Sequence, residues 1–434
     1  MKGMKRLAVV AAALALVATA MTGTAAAANS REDHQRRAPQ LRRLQHIVVL
    51  MQENRSYDDY FGALSRKRRP ASKAAPTPGN PNPLDPSAKI APFHQPANCE
   101  VDDLNHSWTG THAEIDSGRM DGFTAQNAIP ADATGGRAMG YYNATDLPFY
   151  YGLANTFGIG DRYFASVPGP TYPNRFYEMA GTSFGHIQND FPPEGGWPQP
   201  TIFRRLQDAG ISWKVYDAQF PTASFFADVR ANMDHVQPIS QYFADAVAGA
   251  LPQVAFIEPT YIGSVTEESD EHPPANMQVG QQFTANVLQA LMKSRDWSSS
   301  AFFLTWDEHG GYYDHVAPPA APIPDSIPPI LGAADVPAAF DHYGVRVPFV
   351  VVSPFSKPHF VSHRVSDHTS IPALIEHRFN LPPLTQRDAK ANPLLEYFDF
   401  AHPAFRRPPK LPTATLDPTK AAQCAALHPG VLGI

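Results

Sequence analysis

The stretch AFFLTWDEHGG at residues 301–311 constrains this chain more than any other. Its first six residues are apolar, aromatic-rich and few, the signature of a short buried strand. The run ends in two adjacent carboxylates, Asp307 and Glu308, followed by His309 and the pair Gly310-Gly311. Adjacent carboxylates repel one another unless something positive sits between them. In an open α/β sheet the carboxyl ends of the strands are also where ligands bind, and glycine lets backbone come close to a ligand. Together these features point to a site for a divalent cation and a phosphate. The plainer alternative is a strand that runs into a solvated, charged turn.

The pattern occurs twice. HIVVLM (46–51) reads as a second buried strand, and its end carries Glu53 and Asn54. Oxygen ligands at the same end of two strands are what a hard divalent cation needs. FGIGDRYFA (157–165), ISWKVYD (211–217), VAFIEP (254–259) and RVPFVVVSP (346–354) read as further strands. Between them, TIFRRLQDAG (201–210), GQQFTANVLQALMKS (280–294) and DHTSIPALIEHRF (367–379) have helical spacing, the last capped by Asp367 or Thr369. Strands alternating with helices predict an α/β fold, a three-layer sandwich with a largely parallel central sheet. The 44 prolines cluster in 63–98, 317–337 and the irregular 380–434, which are expected to be loop insertions.

Residues 1–28 have the layout of a secretory signal: Lys2, Lys5 and Arg6, an apolar run from Leu7, then small residues to Ala28. Residues 29–44 read as a polar, flexible lead-in, 45–405 as the catalytic domain and 406–434 as a C-terminal tail. Export to the periplasm or medium is the expectation. Losing the signal removes three positive charges and moves the formal net charge from −6 to −9. That argues against nucleic acid as a partner and leaves contact with a zwitterionic membrane surface open. In an oxidising compartment Cys99 and Cys424 are expected to pair and tie the tail to the body, two free thiols being the alternative.

Thr171 lies between Pro170 and Tyr172-Pro173 where a short helix begins, and helix N-termini bind phosphate. Its hydroxyl is a nucleophile once a cation stabilises the alkoxide. Asn174 and Arg175 could donate to phosphoryl oxygens. A helix cap is the competing reading of Thr171. Of 17 histidines, His106, His272, His315, His363 and His368 stand beside Asp, Pro or Ser in predicted loops, as proton donors or ligands would.

QENRSYDDYFG (52–62), GPTYPNR (169–175), DEHPP (270–274), WDEHGGYYDHVAPP (306–319) and SDHTSIPALIEHRF (366–379) resemble, in order, the motifs of the bacterial phosphoesterase family of secreted phospholipases C and acid phosphatases. The resemblance implies an alkaline-phosphatase-like core and one divalent metal ion on Glu53, Asn54, Asp307 and Glu308. It implies Thr171 as a transiently phosphorylated nucleophile, with His106 and His272 stabilising the phosphoryl group or protonating the leaving alcohol. His315, His363 and His368 carry over less directly. The expected activity is phospholipase C, or alternatively a broad acid phosphatase, on phospholipid or small phosphate esters and with no stable protein partner. A non-catalytic binding protein on the same scaffold is disfavoured, because a decayed site would be expected to lose some of these residues.

Overall fold

The computed structural model describes residues 40–64 and 79–431, so the signal segment lies outside the described residues. Its main sheet contains β1 (His46–Gln52), β2 (Gly158–Gly160), β3 (Trp213–Asp217), β4 (Val236–Pro238), β5 (Val254–Glu258), β6 (Ser300–Trp306), β7 (Phe349–Val352) and β8 (Val361–Ser362). The strand order is β8-β2-β7-β6-β1-β5-β3-β4. Within this sheet only β7 runs against the others. Ile47–Gln52 of β1 and all seven residues of β6 are buried. Successive side chains point to opposite faces, so both faces of the sheet centre are covered, which makes the sheet the middle of three layers.

The helices that bear on the site are α1 (Tyr57–Phe61), α2 (Trp108–Ile115), α3 (Thr171–Ala180), α4 (Met277–Lys293) and α5 (Ser370–Phe379). α1 is capped by Ser56, whose hydroxyl accepts from the Asp59 N–H at 3.1 Å. α2 is capped in the same way by Ser107. Residues 44 onwards form one compact unit, and the described residues before it make a 3₁₀ turn at Gln40–Arg43.

Four sequence expectations need correction. FGIGDRYFA is not one strand, because the chain bends after Gly160 and Tyr163–Phe164 pairs separately with Ser366–Asp367. Of the loop at 63–98, the described residues 79–98 have structure of their own. Asn80–Asn82 pairs with Asp85–Ile90, and the Asn80 side chain bonds the backbone of Met120 and Phe123. The 380–434 segment contains a helix at Pro418–Leu427, capped by Asp417. That helix carries Cys424, which is bonded to Cys99 with their Cα atoms 5.8 Å apart. Finally, α5 begins after Thr369 without a side-chain cap, since Asp367 bonds Ser166 and Thr369 instead. Among the described residues no helix is long and apolar enough to cross a membrane.

Candidate active site

Strand order builds the site. β1 lies between β6 and β5, and the pairing of Gln52 with Trp306 brings the next residues, Glu53 and Asp307, side by side. The Asn54 N–H donates to Asp307 Oδ1 at 3.0 Å, and the Glu308 N–H donates to the same oxygen at 2.7 Å. Asn54 adopts a left-handed φ of 61°, which turns the chain at the strand end. The two glycines are close-approach positions. A Cβ on Gly310 would lie 2.3 Å from the Asn54 carbonyl oxygen, and one on Gly311 would lie 2.6 Å from Leu104 Cβ. Gly310 therefore seats this turn on the β1 turn, and Gly311 seats it on the loop that carries His106.

Thr171 is the first residue of α3, and its hydroxyl lies 3.5 Å from Asn54 Oδ1. Pro173 has no N–H and the Tyr172 N–H is taken by Asn189 Oδ1 at 2.9 Å, so this helix end offers a phosphate at most the Thr171 N–H of its first three residues. Asn174 and Arg175 are turned to protein partners. Asn174 bonds the backbone of Val167, Gly169 and Pro170, holding the loop that delivers Thr171. Arg175 donates to Glu53 Oε1 at 2.9–3.1 Å, with Glu258 at 3.8 Å and Asp307 at 3.7 Å. The sequence expectation for both is donation to phosphoryl oxygens; in this arrangement they donate to these protein groups.

The acids exceed the bases. Burial pushes the Glu53 carboxyl up to about 7 against the pull of Arg175, and burial with Glu53 beside it pushes Asp307 up to about 7. Glu308 is buried too, yet His106, His309 and the Gly310 N–H hold it below the ordinary range. Three of the four residues expected to hold a metal keep a buried carboxylate oxygen without a hydrogen-bond partner: Glu53 Oε2, Asp307 Oδ2 and Glu308 Oε1. The orphan on Asn54 is Nδ2, an N–H donor that suits an anion, and only its Oδ1 could meet a metal. Orphaned buried oxygens on converging carboxylates are costly unless a cation meets them. An all-oxygen donor set fits a hard divalent ion.

His106 and His272 are brought together, their rings 5.6 Å apart and edge to face. Each is held through Nδ1 by a backbone carbonyl, Leu104 at 2.8 Å and Pro273 at 2.5 Å. Burial lowers the affinity of His106 for its proton, but Asp103 and Glu308 outweigh it and hold the group up at about 9. Nitrogens of the two rings and an Asp103 oxygen lie within 4.8 Å of one another. Beside them opens a cavity of about 280 Å³ lined by Asp103, His106, Ser107, Pro170, Gln188 and Asn189. Of the remaining histidines, His315 and His363 lie elsewhere and His368 backs onto the site. His315 bonds Asp58 next to Arg346, and His363 bonds Asp161. His368, kept neutral by burial with its pKa down to about 3, bonds the Asp307 carbonyl at 2.6 Å.

Sequence reasoning missed several residues. Glu258 ends β5 as Glu53 follows β1, so the strand-end rule applied to VAFIEP would have found it. The Asp270 carbonyl accepts from the Glu53 N–H at 2.7 Å, and its carboxyl is held well above the ordinary range by burial, Glu53 and Glu268. Glu114 of α2 binds His309 at 2.7 Å, and His309 lies 3.1 Å from Glu308. Nothing in the spacing of Glu114 signals that contact. Glu271 accepts from Tyr60, Tyr150 and Trp306 and pins the DEHPP loop to the sheet.

A threonine hydroxyl at a helix start, near buried carboxylates at the ends of parallel strands and with two histidines nearby, suits a hydrolase of phosphoric esters with an α/β fold. The chain belongs to the Phosphoesterase family, whose sequence profile matches residues 44–382. It is 34% identical over 417 residues to non-specific phospholipase C1 of Arabidopsis thaliana, covering 89% of this chain and 76% of that protein. It is 32% identical to phospholipase C B of Mycobacterium tuberculosis, covering 85% and 82%. Against the non-hemolytic phospholipase C of Pseudomonas aeruginosa it is 31% identical over 94% of its own length but spans only 65% of that protein. Among solved structures, the lipoteichoic acid synthase LtaP of Listeria monocytogenes aligns over 82% of this chain and 76% of that one. The identity is 9% and the TM-score 0.39, an overlap too low to bear on the assignment.

Proposed function

We propose that this protein is an exported, metal-dependent phospholipase C that works through a phospho-threonine on Thr171. The three orphaned carboxylate oxygens on Glu53, Asp307 and Glu308, with Asn54 Oδ1 beside the Thr171 hydroxyl, carry the reading. The relatives' names supply the substrate class. A divalent cation on those residues would lower the hydroxyl's pKa and neutralise phosphoryl charge. Thr171 Oγ1 bonds to phosphorus as the P–O bond to the glycerol arm breaks, and the hydroxyl proton leaves to solvent. The departing oxygen takes a proton from His106 or His272. At neutral pH the raised pKa of His106 keeps that proton available on Nε2, since Nδ1–H is spent on Leu104. Water then cleaves the phospho-threonine, which releases the headgroup monoester and restores the hydroxyl. Asn174 and Arg175 act as positioning residues for Thr171 and Glu53.

The test is hydrolysis of a phosphocholine diester and a phosphate monoester by wild type and Thr171→Ala, with and without chelator. Diester cleavage that falls at least about 10³-fold in Thr171→Ala and on chelation is expected. A faster monoester reaction would move the assignment to acid phosphatase. Wild-type rates in Thr171→Ala would eliminate the nucleophile.

A further inference from the structure

The proline-rich loop between β6 and β7 has an outer surface that the site does not use. Ile323, Ile327, Ile330 and Leu331 are 54, 40, 62 and 40% exposed, four large aliphatic side chains within nine residues. Single exposed aliphatics are ordinary, but a run of this kind on one loop is not. Many of the loop's polar groups are meanwhile absent or already bonded, Ser326 being exposed. Pro322, Pro324, Pro328 and Pro329 have no N–H to desolvate. The Ile330 N–H donates to the Gly185 carbonyl at 2.8 Å, and the Ala321 N–H to Asp341 at 2.7 Å. Asp325 accepts from the Thr182 hydroxyl and the Ile327 N–H. Asp335 accepts from the Gly332 N–H and from Gln188. The loop is also fixed to the body, with the Gln386 N–H on Pro324 O at 2.9 Å and Arg387 on Pro322 O.

We propose that this loop, residues 321–331, is a docking surface for a zwitterionic phospholipid interface. An apolar projection many of whose hydrogen-bonding groups are absent or internally satisfied enters the headgroup and acyl boundary at reduced desolvation cost. Residues 317–337 contain no lysine or arginine, so nothing in them selects an anionic surface. The loop also borders the site. Gln188, held by Asp335, lines the cavity beside His106 and Pro170. Leu331 and Val336 wall a groove of about 750 Å³ whose lining includes Pro168, two residues before Pro170. Leu331 thus belongs both to the exposed aliphatic run and to the wall of that groove. The inference rests on the phospholipase reading for its choice of lipid.

The experiment measures partition of the full exported protein onto phosphatidylcholine vesicles, for wild type and the double variant I323S/I330S. Expected are measurable wild-type binding, a drop of at least about tenfold in the variant, and hydrolysis of a short-chain, water-soluble phosphocholine diester within about twofold of wild type. I330W provides a second measurement, a blue shift of its added tryptophan emission on vesicle addition. Equal partition of wild type and variant, no wild-type partition, or no blue shift would overturn the proposal. So would light scattering that shows a vesicle-free dimer which I323S/I330S dissolves, since a second copy of the chain would then cover the patch. Failure of wild type on the soluble diester would defeat the functional reading alone, because vesicle partition is read without turnover.

Discussion

If Glu53 and Asp307 hold a divalent cation as proposed, removing it should destabilise this protein more at pH 7 than at pH 5. Glu53 and Asp307 titrate near 7 in the fold without an ion, against ordinary values of 4.5 and 3.8. Both pKa values are raised, so the folded chain holds more protons than the unfolded chain as pH rises through that interval. Stability of the metal-free protein is therefore present below the unfolded values and lost as pH rises toward 7. One group shifted from 4.5 to about 7 corresponds to roughly 3 kcal/mol. The two carboxylates interact, so their effects are not summed. For a 434-residue chain, with an unfolding entropy of about 2 cal/mol/K per residue, 3 kcal/mol is roughly 3–4 °C in Tm. A bound cation holds both carboxylates ionised and removes this loss, while the protons that compete with it fade over the same range. Thermal unfolding with chelator and with saturating divalent metal, at half-unit steps from pH 4.5 to 8, measures the difference. It should widen by at least those 3–4 °C up to about pH 7 and then level off. A gap that stays constant or narrows with pH would refute the cation site at Glu53 and Asp307.

The same geometry makes two further predictions. His309→Ala removes the ion-pair partner of buried Glu114, which keeps its Asn127 bond, and one of the groups that hold Glu308. It should therefore lower stability by about 3–5 kcal/mol and weaken metal affinity about 10–100-fold. Denaturant titration and metal-binding calorimetry read the two effects separately, and unchanged affinity in a folded variant would show that His309 does not orient Glu308. Gly310→Ala places a methyl against the Asn54 carbonyl at a φ of 61°, so a loss of at least about 2 kcal/mol is expected. A wild-type melting curve for it would mean that the two turns do not meet as described.

Much of this centre was legible one strand at a time. β1 and β6 announce themselves as apolar runs, and the rule that ligands gather at strand ends marks Glu53, Asn54, Asp307 and Glu308 from the residue order alone. Gly310-Gly311 signals close approach, though not what approaches. The choice of partners was not legible, because contacts between residues far apart in sequence leave no local periodicity. Asn174 and Arg175 illustrate the difference. Their residue types suit phosphate, but the fold surrounds Arg175 with Glu53, Glu258 and Asp307 and turns Asn174 onto the 167–170 loop.

The sequence by itself therefore determined the class of fold and the identity of the acids at the strand ends. Hydrophobic runs set strands, and the carboxylates must come where those runs stop. Only the tertiary structure decided that β1 lies between β6 and β5. That order gathers Glu53, Asp307 and Glu258 around one arginine. It also decided that Glu114 reaches across to His309, and that the loop at 321–331 ties Asp325 to Thr182 and turns its isoleucines outward. Strand order and loop burial are fixed by the total apolar surface removed from water, a property of the whole chain that no single motif carries.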